Sequence, residues 1–246
     1  MKPNATDIAA PYDCDSAFPE AQPAADIPEY LGQHYWWAYL HPGAVRFFER
    51  EWLVNLILWG NFRRLRDAAL AELGPSIKGR CLQIACVYGD FSQRIAARLA
   101  PEARLDIIDV APIQLANLRG KLAPDPRIHL GQQDASALRF ADASFDSTLL
   151  FFLLHEQPAA VRAATLAEAL RVTKPGGQIV IVDYHKPRAS NPLRYVMHLV
   201  LKTLEPFALD LWRHEIASWL PAGVAPASIK KSTSFGELYQ KIVIRR

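Results

Sequence analysis

From Gly79 to Asp183, short apolar runs alternate with helical stretches, and this rhythm constrains the fold more than any other feature of the sequence. Such alternation is typical of β-α-β units, in which parallel strands lie side by side in one sheet. We predict strands at Cys81–Ala85, Leu105–Ile108, Ile128–Leu130, Ser147–Phe152 and Gln178–Asp183, helices at about Ser92–Leu99, Pro112–Leu122 and Ala159–Arg171, and a closing strand over Glu237–Ile244. The pattern predicts a Rossmann-like α/β fold.

The segments outside this core divide the chain further. Residues 1–26, rich in Ala, Pro and Asp, are predicted to form a flexible tail. Residues 27–74 are predicted to form an N-terminal cap, with an aromatic cluster followed by one helix from Ala44 to about Leu73. Residues 75–246 are expected to form the Rossmann-like domain, with a helical insertion at about 192–220.

Charge and cysteine content narrow the possible partners and location. The formal net charge of +3 is too small to favour a nucleic-acid partner. Cys14, Cys81 and Cys86 lack the spacing of metal ligands, which indicates reduced thiols in the cytoplasm. We find no secretion signal and no run of the roughly 18–20 apolar residues that a membrane span needs. We therefore expect a soluble or membrane-peripheral protein.

A nucleotide site is predicted where the first three strands end. Gly89 lies in the turn after the first strand, and Asp109 ends the second strand 20 residues further on. At that offset a carboxylate can accept hydrogen bonds from both ribose hydroxyls, although Asp109 can equally serve as a helix N-cap. Gln133 and Asp134 follow the third strand, where a side chain can contact an adenine; a solvated loop Asp is the alternative.

Polar residues also follow the fourth and fifth strands. His155 and Glu156 come after the fourth strand, and Asp183, Tyr184 and His185 end or follow the fifth. Ligands in open α/β sheets bind at the carboxyl ends of the strands, so these groups are candidates for chemistry. Each alone can also be an ordinary hydrogen-bonded loop residue.

The whole set of motifs resembles the class I S-adenosylmethionine (SAM)-dependent methyltransferases, especially those that act on quinone precursors. The resemblance covers Gly79 to Pro187 and rests on Gly89-Asp90-Phe91-Ser92, Asp109, Gln133-Asp134, Phe145-Asp146, Leu154-His155-Glu156, Lys174-Pro175-Gly176-Gly177 and Lys186-Pro187. It implies a mostly parallel seven-stranded sheet with helices on both faces, plus added N-terminal and late helical segments. It also implies a SAM site formed by Gln83, Ala85, Val87, Tyr88, Gly89, Asp90, Asp109, Val110, Gln133, Asp134 and Ala135.

The chain departs from that family in the first turn. The family usually has an acidic residue where Gln83 stands and glycines where Ala85 and Val87 stand, and here the bulky Tyr88 follows. A narrower resemblance accounts for these departures: the chain is similar to rhodoquinone-biosynthesis proteins of the RquA type. The shared residues are Tyr35-Trp36-Trp37-Ala38-Tyr39, His41-Pro42, Trp59-Gly60-Asn61 and Val87-Tyr88-Gly89-Asp90.

This second resemblance implies conversion of ubiquinone to rhodoquinone, in which an amino group supplied by SAM replaces a ring methoxy group and a divalent metal such as manganese is required. Two alternatives stay open: a conventional methyltransferase acting on a quinone or phenol, and a non-catalytic SAM-binding protein. We expect Tyr88, His155, Glu156 and Tyr184 to be catalytic and His155, Glu156 and His185 to be metal ligands. The aromatic residues expected to contact the quinone are Tyr35, Trp36, Trp37 and Tyr39, with a simple core cluster as the alternative. Asp134, His34 and Asp90 are further candidate metal ligands.

Because the implied substrate is held in a bilayer, we also expect peripheral contact with the inner face of the cytoplasmic membrane. The apolar helical segments around Trp52–Trp59 and Leu199–Leu220 are the candidates for this contact. Covering the sheet, or forming a homo-oligomer contact, is the alternative role for these segments.

Overall fold

A mixed seven-stranded sheet forms the centre of the computed structural model, which describes residues 26–223 and 225–246. The strands are β1 Arg80–Ile84, β2 Arg104–Asp109, β3 Ile128–Gln132, β4 Phe145–Phe151, β5 Thr173–Tyr184, β6 Ser228–Ser234 and β7 Tyr239–Arg245, in the order β3-β2-β1-β4-β5-β7-β6. Strands β1 to β5 pair in parallel, whereas β7 runs antiparallel to β5 and β6 antiparallel to β7. The predicted α/β fold class is confirmed.

The helices lie on both faces of this sheet and over its carboxyl edge. They are α1 Glu29–His34, a π-helical turn Trp36–Leu40, α2 Pro42–Phe48, α3 Glu51–Ile57, α4 Phe62–Leu73, α5 Phe91–Ala96, α6 Pro112–Arg119, α7 Ala159–Val172, α8 Leu193–Leu204 and α9 Asp210–Arg213, with short 3₁₀ turns at Leu154–Glu156 and Ile216–Trp219. Within the described residues, no helix is both long and apolar enough to span a bilayer.

Two apolar layers hold the helices to the sheet, because alternate strand residues face opposite sides. Ile107, Leu149 and Val180 face the layer that contains α4 and α5. Leu150 and Ile181, one residue further along their strands, face the layer that contains α7. Strands β1, β4 and β5 are largely buried on both faces, and this accounts for the consecutive apolar residues at 149–151 in β4 and 179–182 in β5.

The single helix predicted from Ala44 to Leu73 is wrong, because this segment folds as α2, α3 and α4. The first break is at Arg50, whose backbone is extended (φ −68°, ψ 115°). The second is at Trp59 and Gly60, which both adopt a positive φ (53° and 77°). The side-chain amide of Asn61 donates to the carbonyls of Leu58 and Trp59 and so satisfies acceptors that the ended helix leaves free. The breaks bend this segment over the edge of the sheet.

Three further segments concern a strand that was not predicted, the beginning of β5 and the predicted N-terminal tail. Strand β6 was not predicted, because its residues are mostly polar and exposed at the edge of the sheet. The Lys174-Pro175-Gly176-Gly177 motif lies within the irregular beginning of β5, next to a register shift between Phe145 and Ser147. The tail predicted over residues 1–26 lies, apart from Asp26, outside the described residues.

Candidate active site

A cavity of about 660 Å³ lies at the carboxyl ends of the parallel strands, beneath the N-terminal segment and α8. This volume falls in the range of sites that bind ligands of nucleoside size. Its wall combines the predicted residues Ala85, Val87, Tyr88, Asp109, Val110, Gln133, Asp134, Ala135, His155, Glu156, Tyr184, Trp37 and Tyr39. The topology thus brings together most of the polar groups that the strand ends were predicted to carry.

Asp109 ties the first two strand ends together and still faces the cavity. Its Oδ2 accepts the backbone N–H of Cys86 at 2.8 Å, and its Oδ1 accepts that of Ala111, also at 2.8 Å. Burial raises the pKa of Asp109 to about 6, against the lowering effect of those hydrogen bonds. Because each oxygen has a second lone pair, the carboxylate can still accept from a diol in the cavity. Asp109 therefore stabilises the turn and remains a candidate ribose acceptor.

Ala85 has a backbone conformation that favours glycine, at a position where the methyltransferase family that the chain resembles usually has one. Its φ of 72° lies in the left-handed region, which costs an L-residue about 1 kcal/mol, and its N–H donates to Ile108 O at 2.9 Å. Alanine at this position therefore adopts the path of the turn at the expense of local strain.

Tyr88 forms a wall between this turn and the N-terminal segment. Its ring stacks between Tyr39 and Phe48, with centroids 5.9 and 6.2 Å away. Its hydroxyl donates to Ala38 O and accepts from Gln114 Nε2, both at 2.8 Å. Burial raises the pKa of Tyr88 well above its usual range, so the phenol stays neutral. With its proton donated inside the protein, Tyr88 is placed to shape the cavity, which differs from the catalytic role that we predicted.

Gln83 was predicted to contact the cofactor but does not reach the cavity. It is fully buried within β1, where its Nε2 donates to Ala85 O at 2.9 Å and its Oε1 accepts from Ser92 Oγ at 3.0 Å. The side chain therefore braces the turn from behind.

Gly89 and Asp90 also lie away from the cavity wall. Gly89 has φ 80°, and a Cβ there would lie 3.0 Å from the Phe62 ring, so the position needs glycine for packing. Its N–H donates to Glu49. Asp90 accepts from Arg66 Nη1 at 2.7 Å, and that ion pair holds it at the outer side of α5. The predicted cofactor contacts at Gly89 and Asp90 are corrected accordingly.

His155 and Glu156 lie in the cavity wall as a buried pair of ionisable groups. His155 Nδ1 is 2.9 Å from Asp183 Oδ1, and its Nε2 is 3.7 Å from Glu156 Oε1. Burial alone would lower the pKa of His155, but the charge of Asp183 outweighs it and raises that pKa to about 9. Burial also raises the pKa of Glu156, whose Oε1 accepts from Tyr39 Oη. A carboxyl that protonates near neutral pH therefore lies beside an imidazolium.

Glu205 lines the cavity wall together with His155 and Glu156, and it was not predicted from the sequence. It follows α8 directly and lines the cavity, with its Oε2 buried and without a hydrogen-bond partner. Burial raises its pKa, and its charge in turn contributes to the raised pKa of Tyr35. One signal was present in the sequence: Glu205 is the only acidic residue between Asp183 and Asp210.

Arg162 links the two sides of this wall. It is fully buried, donates to Leu154 O and Gln157 O on either side of the His155 turn, and donates to Phe207 O near Glu205. Its guanidinium lies 4.4 Å from the Trp219 ring centre. One side chain thus positions the segments that carry His155 and Glu205.

The predicted metal ligands do not come together. His185 faces the edge strands, where its Nδ1 is 2.8 Å from Glu237 O and its Nε2 is 2.9 Å from Lys231 Nζ. Across residues 26–223 and 225–246, no three His, Cys, Asp or Glu side chains form a group able to hold a metal ion. The predicted set of His155, Glu156 and His185 is therefore corrected, because His185 lies apart from the other two residues.

The predicted quinone contacts divide into two pairs. Trp37 and Tyr39 line the cavity, as does Tyr184, whose ring meets His155 edge-on at 4.9 Å. Tyr35 is completely buried behind the wall, and Trp36 is 53% exposed on the outer surface. The cavity therefore offers aromatic side chains in contact with its ionisable groups, although with fewer members than predicted.

Comparisons with known proteins agree with this architecture. Residues 81–177 match the family model described as "Methyltransferase domain". The solved structure of human N-acetylserotonin methyltransferase in complex with SAM is similar, with a TM-score of 0.59 and 14% identity over 89% of this chain and 60% of that one. Fold and strand-end cavity together define a chain with the class I SAM-dependent methyltransferase fold.

The sequence relatives narrow the comparison to quinone methyltransferases. The ubiquinone/menaquinone biosynthesis C-methyltransferase UbiE of Geobacter sulfurreducens is 32% identical over 56% of this chain and 55% of its own length. The demethylmenaquinone methyltransferase of Renibacterium salmoninarum is 33% identical over 54% of this chain and 53% of its own. The chain thus spans about half the length of these curated relatives.

Proposed function

We propose that this chain is a SAM-dependent transferase that acts on the ring of a quinone. The observation that carries the proposal is the cavity itself, which is lined by Asp109, by aromatic side chains and by the ionisable set of His155, Glu156 and Glu205. The names of the relatives, which concern ubiquinone and menaquinone biosynthesis, support the substrate class.

The donor groups in the wall are suited to SAM. The carboxylate of Asp109 has acceptor capacity left for the ribose hydroxyls, and Gln133 and Asp134 follow the neighbouring strand, where an adenine would lie. Val87 and Tyr88 border the region that the resemblance assigns to the methionine end. SAM supplies an electrophilic methyl group and an α-amine, and either can be the group that is transferred.

We propose that the transferred group is the amine. The RquA-type resemblance favours this outcome, as do Ala85 and Val87 at positions where the methyltransferase family usually has glycines, followed by the bulky Tyr88. The amine nitrogen bonds to the ring carbon that carries the methoxy group, the carbon–oxygen bond breaks, and the methoxy group leaves as methanol. Cleavage of the donor's N–Cα bond, with transfer of a Cβ proton to nitrogen, then leaves the amino-quinone and an unsaturated acid.

Within this proposal, the buried carboxyls supply the proton transfers. The amine must lose its proton before it can attack, and the leaving methoxy group must gain one. Burial raises the pKa of Glu156 to about 8, so this carboxyl can take up and return a proton near neutral pH. Burial also raises the pKa of Glu205, which lines the same cavity. His155, held by Asp183, sets the charge beside them.

Methyl transfer is the second candidate, because the relatives are C-methyltransferases. In that case the methyl of SAM bonds to a ring carbon, the carbon–sulfur bond breaks, S-adenosylhomocysteine is released, and a base in the wall takes the ring proton. The same cavity residues serve both reactions.

One labelling experiment distinguishes the two candidates. The purified protein is incubated with SAM labelled by ¹⁵N at its amine and ¹³C at its methyl, together with short-tail ubiquinone or its demethylated precursor, with and without Mn²⁺ and a chelator. We expect a ¹⁵N-amino-quinone by mass spectrometry. A ¹³C-methyl product establishes methyl transfer instead. Calorimetric SAM binding without either product contradicts the proposed transferase activity.

A further inference from the structure

The exposed apolar side chains are concentrated on one part of the surface. The described residues include thirteen exposed large hydrophobic residues, and all except Ile27 and Ile229 lie within residues 36–59 or 193–204. Trp52, Leu56, Tyr195 and Leu199 are each at least 60% exposed. Below we term these exposed side chains of residues 36–59 and α8 the apolar face. Clusters of this kind on a surface mark an interaction site.

Each of the two helices that contribute most to this face has apolar residues on two sides, the side that packs on the protein and the side that points outward. In α8, Met197 and Leu201 are buried, whereas Tyr195 and Leu199 point outward. A helix whose outer side meets only water carries polar residues there. In α3 the same holds, with Leu53 buried and its neighbour Trp52 exposed. Packing on the sheet thus leaves the outer sides of both helices without an apolar partner.

The cavity opens within this face. The exposed side chains of Leu56, Ile57 and Trp59 line the cavity from one side, and Leu204 at the end of α8 lines it from the other. The two sides touch where the indole N–H of Trp59 meets Met197 Sδ at 3.1 Å. The apolar face therefore surrounds the route from the surface to the cavity.

The charges on and around this face are positive. Helix α8 carries Arg194, His198 and Lys202 and has no acidic residue. A surface of exposed aromatic and aliphatic side chains with interspersed cations matches an anionic lipid layer. The same cations would repel one another across an interface between two copies of this chain.

The two acidic residues within residues 36–59 form ion pairs within the protein. Glu49 forms an ion pair with Lys121, and Glu51 with Arg63, at 2.5 and 2.8 Å. Arg46 and Arg50 remain exposed in the same segment, and Arg50 lies 5.6 Å from the centre of the Phe47 ring. The N-terminal side of the face therefore also presents positive charge beside aromatic rings.

We propose that the apolar face docks onto an anionic lipid bilayer, so that the cavity opens toward the acyl chains rather than toward water. Docking itself requires no activity. Its consequence, that a prenylated quinone enters from the bilayer between α3 and α8, rests on the proposed function.

The test measures lipid binding without SAM or quinone. The full chain is sedimented with vesicles of phosphatidylcholine containing about one third phosphatidylglycerol, and with vesicles of phosphatidylcholine alone. The double variant Trp52→Ser/Leu199→Ser removes exposed side chains that do not line the cavity, and Ile27→Ser/Ile229→Ser is the matched control outside the face. Thermal unfolding and SAM binding verify that each variant is folded.

We expect the face variant to bind anionic vesicles at least about tenfold more weakly than the control variant, because it loses buried apolar contact. Binding to neutral vesicles should be weaker for both. Equal vesicle binding by the two double variants overturns the proposal. The proposal is also overturned if the face variant differs from the control variant in its sedimentation mass but not in vesicle binding, since that result shows a contact between copies of the chain.

Turnover separates this proposal from the proposed function. With a water-soluble short-tail quinone the face variant should match the control, whereas with a long-tail quinone in vesicles its turnover should fall about as far as its binding. Loss of turnover on both substrates contradicts the docking role of the face. If the wild-type protein shows no turnover, the vesicle-binding result alone still decides whether the apolar face docks onto lipid.

Discussion

Replacing Asp183 by Asn tests whether His155 is held as an imidazolium in the cavity wall. Asp183 is fully buried, and its Oδ1 lies 2.9 Å from His155 Nδ1. Burial would lower the pKa of His155, but the charge of Asp183 raises it to about 9, compared with 6.5 for an unperturbed histidine. That difference corresponds to about 3 kcal/mol of folding free energy.

The stabilisation has a definite pH dependence. Because the folded-state pKa lies above the unfolded value, the contribution is complete below about pH 6.5 and is lost as the pH rises through about 9. Asp183→Asn should therefore lower the free energy of unfolding by about 3 kcal/mol more at about pH 6 than at about pH 9.5. A smaller loss that does not depend on pH adds to this, because Asp183 also accepts the N–H of Leu154.

Urea unfolding of wild type and variant at the two pH values measures the difference. Asp106→Asn is the matched control: Asp106 is equally buried, but its partner Arg80, at 2.7 Å, does not titrate in this range. The loss in the control should be the same at both pH values. If the loss caused by Asp183→Asn is also independent of pH, then His155 is neutral and the assignment of charge in this wall is wrong.

Three further changes test the cofactor end of the cavity. Asp109→Asn should weaken SAM binding by roughly tenfold to a hundredfold, as judged by calorimetry, because a charged acceptor is lost; unchanged affinity would remove Asp109 from the SAM site. Tyr88→Phe should lower the free energy of unfolding by about 1–2 kcal/mol in denaturant titrations, since Gln114 and Ala38 lose their partner, while turnover is retained; loss of turnover would instead support a catalytic hydroxyl. Ala85→Gly should raise stability by about 0.5–1 kcal/mol in the same titrations because its φ is 72°; a lower stability would show that the turn is unstrained.

The parallel core was predictable because strands buried on both faces carry runs of consecutive apolar residues. Strand β4 and the end of β5 consequently stand out in the sequence. Strand β6 does not stand out in the sequence, because its residues Ser228–Ser234 are mostly exposed and pair only with β7 at the edge of the sheet. The breaks in the N-terminal helices were also hidden, because nothing in the residue type of Trp59 announces a positive φ.

The site was predictable where it depended on strand ends and not where it depended on tertiary placement. Asp109, His155 and Glu156 follow strands and so reach the cavity. Gln83 lies within β1 and is directed into the protein interior. Glu205 enters the wall only because α8 folds back over the sheet edge, a long-range arrangement that local sequence does not encode.

The guanidinium of Arg162 keeps its proton at all physiological pH values. A change in the charge of the cavity wall must therefore come from the ionisable groups around Arg162. Burial raises the pKa of Glu156 to about 8, so near neutral pH this carboxyl holds a proton that a cation entering the cavity would displace, because a nearby positive charge favours the carboxylate. Arrival of a sulfonium would then release acid into the buffer, so the apparent heat of association should vary with the ionisation enthalpy of the buffer chosen. The cavity would thus release protons to solvent as it binds a cationic ligand.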